Sequence, residues 1–104
     1  MQTKITLIID NPTDHHEFES HVPALTELAV ALPGLVGFES AKVFPKEDGT
    51  PTPAHRTFDL YFADYAAASH AVTTAEAGAF FSELGRLDTG FTGLFSEVER
   101  TEKR

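Results

Sequence analysis

Three polar side chains in this sequence are of a type that could carry acid-base chemistry: His21, Asp59 and Tyr61. His21 lies in a helical pattern, and an imidazole exchanges protons near neutral pH, so a helix could deliver it to the rim of a pocket. The alternative is a partly exposed histidine without a role. Asp59 and Tyr61 would share one face of a strand, where they could orient or protonate a ligand oxygen or form a hydrogen bond between subunits. We predict all three as candidate catalytic residues.

Three further side chains are predicted to bind a ligand: His55, Phe38 and Phe95. His55 and Arg56 open the same predicted strand and could reach a carboxylate or a phenolate, although charges at a strand edge are usually only solvated. The phenylalanines are most simply core residues, and Phe38 and Phe95 are the two that we expect as pocket walls.

No metal or cofactor site is predicted. His15 and His16 offer imidazoles, but adjacent residues of a helix point in different directions and lack the i, i+4 spacing that brings two imidazoles to one ion. A solvated first helical turn is the simpler interpretation. The chain has no cysteine, and its glycines form no Gly-x-Gly-x-x-Gly pattern after a strand.

Length and charge limit the function classes. The 104 residues are expected to form one domain, spanning 1–104. With 16 acidic and 8 basic residues the net charge is −8, which would repel phosphate backbones and anionic lipid surfaces. We therefore expect no nucleic-acid or membrane partner. The absence of cysteine and of a targeting signal fits a cytoplasmic location.

Hydrophobic periodicity predicts four strands and two helical segments. Alternating residues indicate strands at Thr3–Ile9, after Pro33-Gly34 within residues 32–44, at residues 55–63 and at residues 91–98. Apolar residues at intervals of three and four indicate a first helix, capped by Thr13 or Asp14, that continues to Leu32. Pro23 either kinks this helix or belongs to a fresh segment capped by Ser20. A second helix is capped by Asp64, is weakened at residues 73, 74 and 78, and resumes over residues 75–84.

The order β-α-β-β-α-β predicts an α+β fold of the ferredoxin-like class, with a four-stranded antiparallel sheet and two crossover helices on one face. Residues 32–44 (LPGLVGFESAKVF) carry apolar side chains on both alternations. A strand of that kind needs cover on both faces, and the helices cover only one. We predict that a second copy of the chain covers the other, giving a homodimer through the sheet faces, a dimeric α+β barrel.

Several segments together resemble the EthD family. These are the Asn-Pro-x-Asp pattern at 11–14, the Pro-Gly-Leu turn at 33–35, KEDGTP at 46–51 and DLYFAD at 59–64. The resemblance covers nearly the whole chain and implies a dimeric α+β barrel of the ferredoxin-like class. Family members carry a Thr-His-x-Pro-Leu segment late in helix one. Ser20-His21-Val22-Pro23 has that local pattern one helical turn too early, so His21 either fills the role through a shifted helix or matches an upstream position.

The resemblance implies a small protein that binds an aromatic or polyketide-like molecule in a barrel pocket. Members are commonly labelled reductases, and relatives on the same barrel include cofactor-free monooxygenases, so acid-base or oxidoreductase-type chemistry is the expected activity. Two alternatives stay open, a non-catalytic ligand-binding or accessory protein and a purely structural dimer. The surroundings of His21 distinguish a non-catalytic ligand-binding protein from an enzyme. The presence of a cavity distinguishes both of these from a purely structural dimer.

Overall fold

The computed structural model describes all residues from 1 to 104 and contains four strands and three helices. These are β1 (Thr3–Ile9), α1 (His15–Val30), β2 (Leu35–Lys42), β3 (Arg56–Phe62), α2 (Tyr65–Ala71), α3 (Ala75–Arg86) and β4 (Phe91–Glu97). The strands form one antiparallel sheet in the order β2-β3-β1-β4. The predicted ferredoxin-like α+β fold is thereby confirmed. No helix combines the length and apolarity that a membrane crossing requires.

The core lies between one face of the sheet and the three helices. Alternate residues of the two central strands are buried there: Ile5, Leu7, Ile9, Phe58, Leu60 and Phe62. Phe18, Leu25 and Ala29 of α1 and Phe80 and Leu84 of α3 meet them from the helical side. Burial of each large apolar side chain contributes about 1.5 to 3 kcal/mol, so this one layer supplies most of the hydrophobic stabilisation of the fold.

Helix α1 begins where the sequence predicts it. The Asp14 side chain accepts a hydrogen bond of 3.0 Å from the Glu17 backbone N–H. The helix then runs without interruption past Pro23 to Val30. The alternative in which Ser20 caps a fresh segment is wrong, because the Ser20 hydroxyl donates instead to the Glu17 carbonyl within the same helix.

The second crossover consists of two helices, as its weak middle predicts. Helix α2 ends at Ala71, and Thr74 caps α3 by accepting a hydrogen bond of 3.2 Å from the Ala77 backbone N–H. Gly78, by contrast, lies inside α3 and does not interrupt it. The break therefore results from the Thr73-Thr74 pair, whose hydroxyls donate to backbone carbonyls three residues earlier.

A bulge in β2 changes which of its side chains face the helices. Leu35 pairs with Phe62 and Gly37 with Tyr61, so Val36 is an extra residue in the ladder. Strict alternation would place Leu35 and Phe38 on opposite faces, but the extra residue brings both to the same face. Both face the helices. The strand also ends at Lys42, short of residue 44.

The sheet face away from the helices, called the open face below, is more polar than expected. Through the register it carries Lys4, Thr6, Ile8, Glu39, Thr57, Asp59, Tyr61, Thr92, Leu94 and Ser96. The prediction of strands that are apolar on both faces is therefore wrong for this surface. Its apolar groups are confined to a few side chains among hydroxyls and charges.

Candidate functional site

The structure places the six predicted site residues in five separate regions. His21 lies on the outer surface of the helical layer, and Asp59 and Tyr61 lie on the open face. Phe38 is part of the core side of β2, and Phe95 lies on edge strand β4. His55 lies at the start of β3, beneath the first turns of α1. No common pocket unites them.

His21 is held between two carboxylates on the helical surface. Its Nε2 lies 3.0 Å from Glu17 Oε1 and its Nδ1 lies 3.8 Å from Glu83 Oε1. A hydrogen bond from the Arg86 side chain lowers the pKa of Glu83, which keeps that carboxylate charged. His21 lines none of the four cavities of the molecule. Its contacts therefore lie within α1 and between α1 and α3, and not in a cavity.

Asp59 and Tyr61 hydrogen bond to neighbours on the open face. Thr6 Oγ1 donates to Asp59 Oδ1 at 2.5 Å, and the Tyr61 hydroxyl donates to Glu39 Oε1 at 2.7 Å. The Glu39 hydrogen bond, burial and nearby negative charge raise the pKa of Tyr61 to about 12. The phenol thus stays protonated at neutral pH with its hydrogen engaged by Glu39, which makes Tyr61 a poor proton donor to a ligand.

The two predicted wall residues differ in exposure. Phe38 stacks on Phe58 with ring centroids 5.9 Å apart and is half-buried against the core. Phe95 is 47% exposed and meets Tyr65 edge to face at 5.8 Å. The rings of Tyr65 and Phe95 line a shallow depression of about 310 Å³. Only Phe95 is therefore open to a ligand in the single chain.

A cavity of about 460 Å³ lies at the end of the sheet where α1 begins. It is lined by Asn11, His15, His16, Glu19, Lys42, Val43, Pro45, Thr52 and His55. His55 is fixed at its wall by backbone hydrogen bonds, since its N–H donates to Ile9 O at 2.8 Å and its carbonyl accepts from Val43 N at 3.1 Å. The loop between β2 and β3 closes one side, where Asn11 Nδ2 donates to Thr52 O at 2.8 Å.

Glu19 is the central charged group of this site, which we call the Glu19 cluster: Glu19, His55 and Arg56. Arg56 donates to both Glu19 oxygens, from Nη2 at 2.7 Å and from Nε at 3.2 Å. His55 Nε2 lies 2.8 Å from Glu19 Oε2. The Arg56 hydrogen bonds, reinforced by His55, lower the pKa of Glu19 to about 2, so its carboxylate is ionised at every physiological pH.

An ionised carboxylate can only accept a hydrogen bond, so the His55 Nε2 must be the donor in this pair. The neutral imidazole then carries its lone pair on Nδ1, which makes no hydrogen bond within the chain and is not sealed from solvent. His15 packs edge-on against the His55 ring at 4.9 Å. A carboxylate that orients a histidine and stabilises its protonated form is a recurrent arrangement for general-base chemistry.

The sequence predicts that His55 and Arg56 could reach a carboxylate, but it does not indicate that this carboxylate is Glu19 of the same chain. Glu19 occurs four residues after His15 in α1. That spacing places both residues on one side of the helix, which was the available signal. The spacing does not predict that Glu19 contacts His55, because no local sequence pattern determines the position of α1 along the sheet.

Comparisons with known proteins show the fold. No protein-family model matches the chain, and no curated protein matches it. Among solved structures, an EthD family protein from Bacillus halodurans superposes with a TM-score of 0.84 at 20% identity, over 94% of this chain and 99% of that one. The chain has the fold of an EthD family protein. The resemblance found in the sequence is confirmed at that level.

Two further structures have the same fold at lower similarity. SnoaB from Streptomyces nogalater, a cofactor-independent oxygenase, gives a TM-score of 0.70 at 14% identity, over 96% of this chain and 95% of that one. A dimeric ferredoxin-like protein of unknown function from Jannaschia sp. gives 0.71 at 18% identity, over 94% and 100%. The fold thus occurs both in an enzyme and in proteins without an assigned activity.

Proposed function

We propose that this chain forms a homodimeric α+β barrel that binds an aromatic or polyketide-like small molecule in the cavity beside His55 and removes a proton from it. The observation that carries the proposal is the 2.8 Å contact between His55 and Glu19 at the wall of a 460 Å³ cavity. A cytoplasmic location belongs to the same proposal, since a chain without cysteine needs no oxidising compartment.

The proposed step is a simple proton transfer. A ligand hydroxyl gives its proton to His55 Nδ1, which leaves an oxyanion on the ligand and an imidazolium on the protein. The Glu19 carboxylate stabilises this imidazolium through the Nε2 hydrogen bond, and Arg56 keeps the carboxylate ionised throughout. Because the proton only changes place, the step requires no oxidant or reductant.

Dimer formation is proposed through the open face. Threonine and serine hydroxyls, Ile8 and Leu94 there form a surface that can pack on its own two-fold copy, as the dimeric description of similar structures supports. Asp59 and Tyr61 would then lie at the interface. Light scattering should give twice the chain mass of 11.4 kDa, and a monomer at micromolar concentration would refute this part.

A coloured acidic phenol tests the proton transfer directly. We would bind 1,2-dihydroxyanthraquinone, whose absorption changes on ionisation, at a pH where the free dye is neutral. The protein should ionise the bound dye, and His55→Asn should abolish the ionisation. His21→Asn is the matched control, because it replaces an imidazole that also contacts a glutamate but lies outside the cavity.

Each outcome of this experiment is decisive. Loss of ionisation in the His21 variant alone would transfer the catalytic role to His21, as the sequence predicts. Binding without ionisation would refute the acid-base proposal in favour of a non-catalytic ligand-binding protein. A readout that needs no variant is the proton NMR spectrum of the wild-type protein. There the His55 ring signals, and not those of His21 or His70, should move when the dye is added.

A further inference from the structure

The cavity beside His55 is electrostatically unlike the rest of the chain. The whole molecule carries a net charge of −8. The cavity lining, in contrast, contains the Lys42 ammonium, three imidazoles and one carboxylate, that of Glu19. Arg56 already neutralises Glu19 with two hydrogen bonds. The local charge is therefore positive, and a negatively charged ligand would be drawn to this position rather than to the acidic surface around it.

Lys42 supplies a free cation at the cavity rim. It forms no ion pair with any carboxylate of the chain, whereas Lys4 lies 3.9 Å from Asp59. The Asn11 side chain, also in the lining, is engaged by Thr52 through hydrogen bonds of 2.8 and 3.2 Å. Lys42 is thus the lining group that is charged at neutral pH and not yet engaged by the protein.

His55 provides the second, independent feature that points to a ligand. Its side chain is only 8% exposed, yet its Nδ1 has no hydrogen-bond partner in the chain. This atom is not sealed from solvent, so a donor from outside the chain can reach it. A ligand hydroxyl that donates to Nδ1 would take that place, while the Lys42 ammonium receives a negatively charged group of the same ligand.

We infer that the cavity binds an aromatic acid that carries a hydroxyl next to its carboxylate, with the carboxylate at Lys42 and the hydroxyl at His55. This inference rests on the proposed function and names its ligand class. The side chains of Val43 and Pro45 and the ring of His15 supply apolar contacts for the aromatic body.

A matched pair of probes tests the inference. Isothermal titration would compare 3-hydroxy-2-naphthoate with its neutral amide, 3-hydroxy-2-naphthamide, which keeps the hydroxyl and the aromatic body. The acid should bind about tenfold more tightly than the amide, as one charge-assisted contact predicts. Lys42→Gln should remove this difference. Lys46→Gln is the control, because Lys46 is a nearby loop lysine outside the cavity lining, and it should leave the preference intact.

The outcomes separate the inference from the function that it extends. Equal binding of acid and amide to the wild-type protein would overturn the anionic ligand class and leave the proposed proton transfer standing. A preference that survives in the Lys42 variant would overturn the role of Lys42. Failure of both probes to bind would overturn the inference together with the proposed cavity. Since Lys42 makes no ion pair or side-chain hydrogen bond within the chain, its replacement is expected to leave the fold intact, which a melting curve checks.

Discussion

Replacing Glu19 by glutamine should destabilise the protein in a pH-dependent way. The fold lowers the pKa of Glu19 from its ordinary 4.5 to about 2, which corresponds to at most about 3 kcal/mol of folding free energy. Because 29% of the side chain is exposed, screening by solvent reduces the expected contribution to about 1 to 2 kcal/mol. A carboxyl whose folded pKa is lowered contributes this stability above pH 4.5 and loses it as the pH falls towards 2.

Urea denaturation of the wild-type protein and of Glu19→Gln between pH 7 and pH 2 measures this contribution. The unfolding free energies should differ by about 1 to 2 kcal/mol at pH 7 and converge near pH 2. Glu17→Gln is the matched control, because Glu17 also contacts a histidine but from a side chain that is 69% exposed. Its effect should be about 0.3 kcal/mol. Equal stability of the Glu19 variant at pH 7, or a difference that persists unchanged to pH 2, would refute the assignment of Glu19 as an ionised structural anchor.

Two further predictions concern the open face and the backbone. In a Tyr65→Phe protein, the remaining phenol of Tyr61 should ionise near pH 12 when followed by ultraviolet absorption, and adding Glu39→Gln should lower that midpoint towards 10. Because the fold favours the neutral phenol, its contribution to stability is present below pH 10 and disappears as the pH rises to 12. An unchanged midpoint in the Glu39 variant would contradict the role of Glu39. Gly78→Ala should stabilise helix α3 by about 1 kcal/mol, because no atom lies within 4 Å of the added carbon. Gly34→Ala should instead destabilise the protein by about 1 kcal/mol, because the φ of Gly34 is +81°. Melting temperatures that shift in the same direction for the two variants would contradict this pair of predictions.

The fold was largely predictable because its signals are local. Strand β1 has the predicted bounds, since the buried residues Ile5, Leu7 and Ile9 alternate with Thr6 and Ile8 in a run rich in β-branched residues. Asp14 caps α1 as its position suggests. The bulge in β2 was not predictable. Leu35 and Val36 are both apolar, so the alternation before Gly37 fits two registers, and only pairing with β3 decides between them.

The candidate site was much less predictable, because it depends on contacts between elements. His55 was named, but its partner lies 36 positions earlier in a helix, and hydrogen bonds over such separations leave no periodic trace. His21 shows the opposite case. Its sequence context resembles a family pattern, yet the structure surrounds it with Glu17 and Glu83 on the helical surface. Its catalytic role remains a prediction for the paired variants to decide.

The Glu19 cluster serves the fold and the proposed chemistry at once. Arg56 joins Glu19 of α1 to Ser40 of β2 through hydrogen bonds of 2.7 Å each, so one guanidinium ties the helix to two strands. The same contact keeps Glu19 ionised and thereby fixes which nitrogen of His55 is free. The Arg56–Glu19 pair and the Nε2 hydrogen bond of His55 both contribute to the fold. Nδ1 of His55, which makes no hydrogen bond within the chain and is not sealed from solvent, is the atom of the cluster that the fold does not use, and for that reason His55 is the residue on which a test of function should begin.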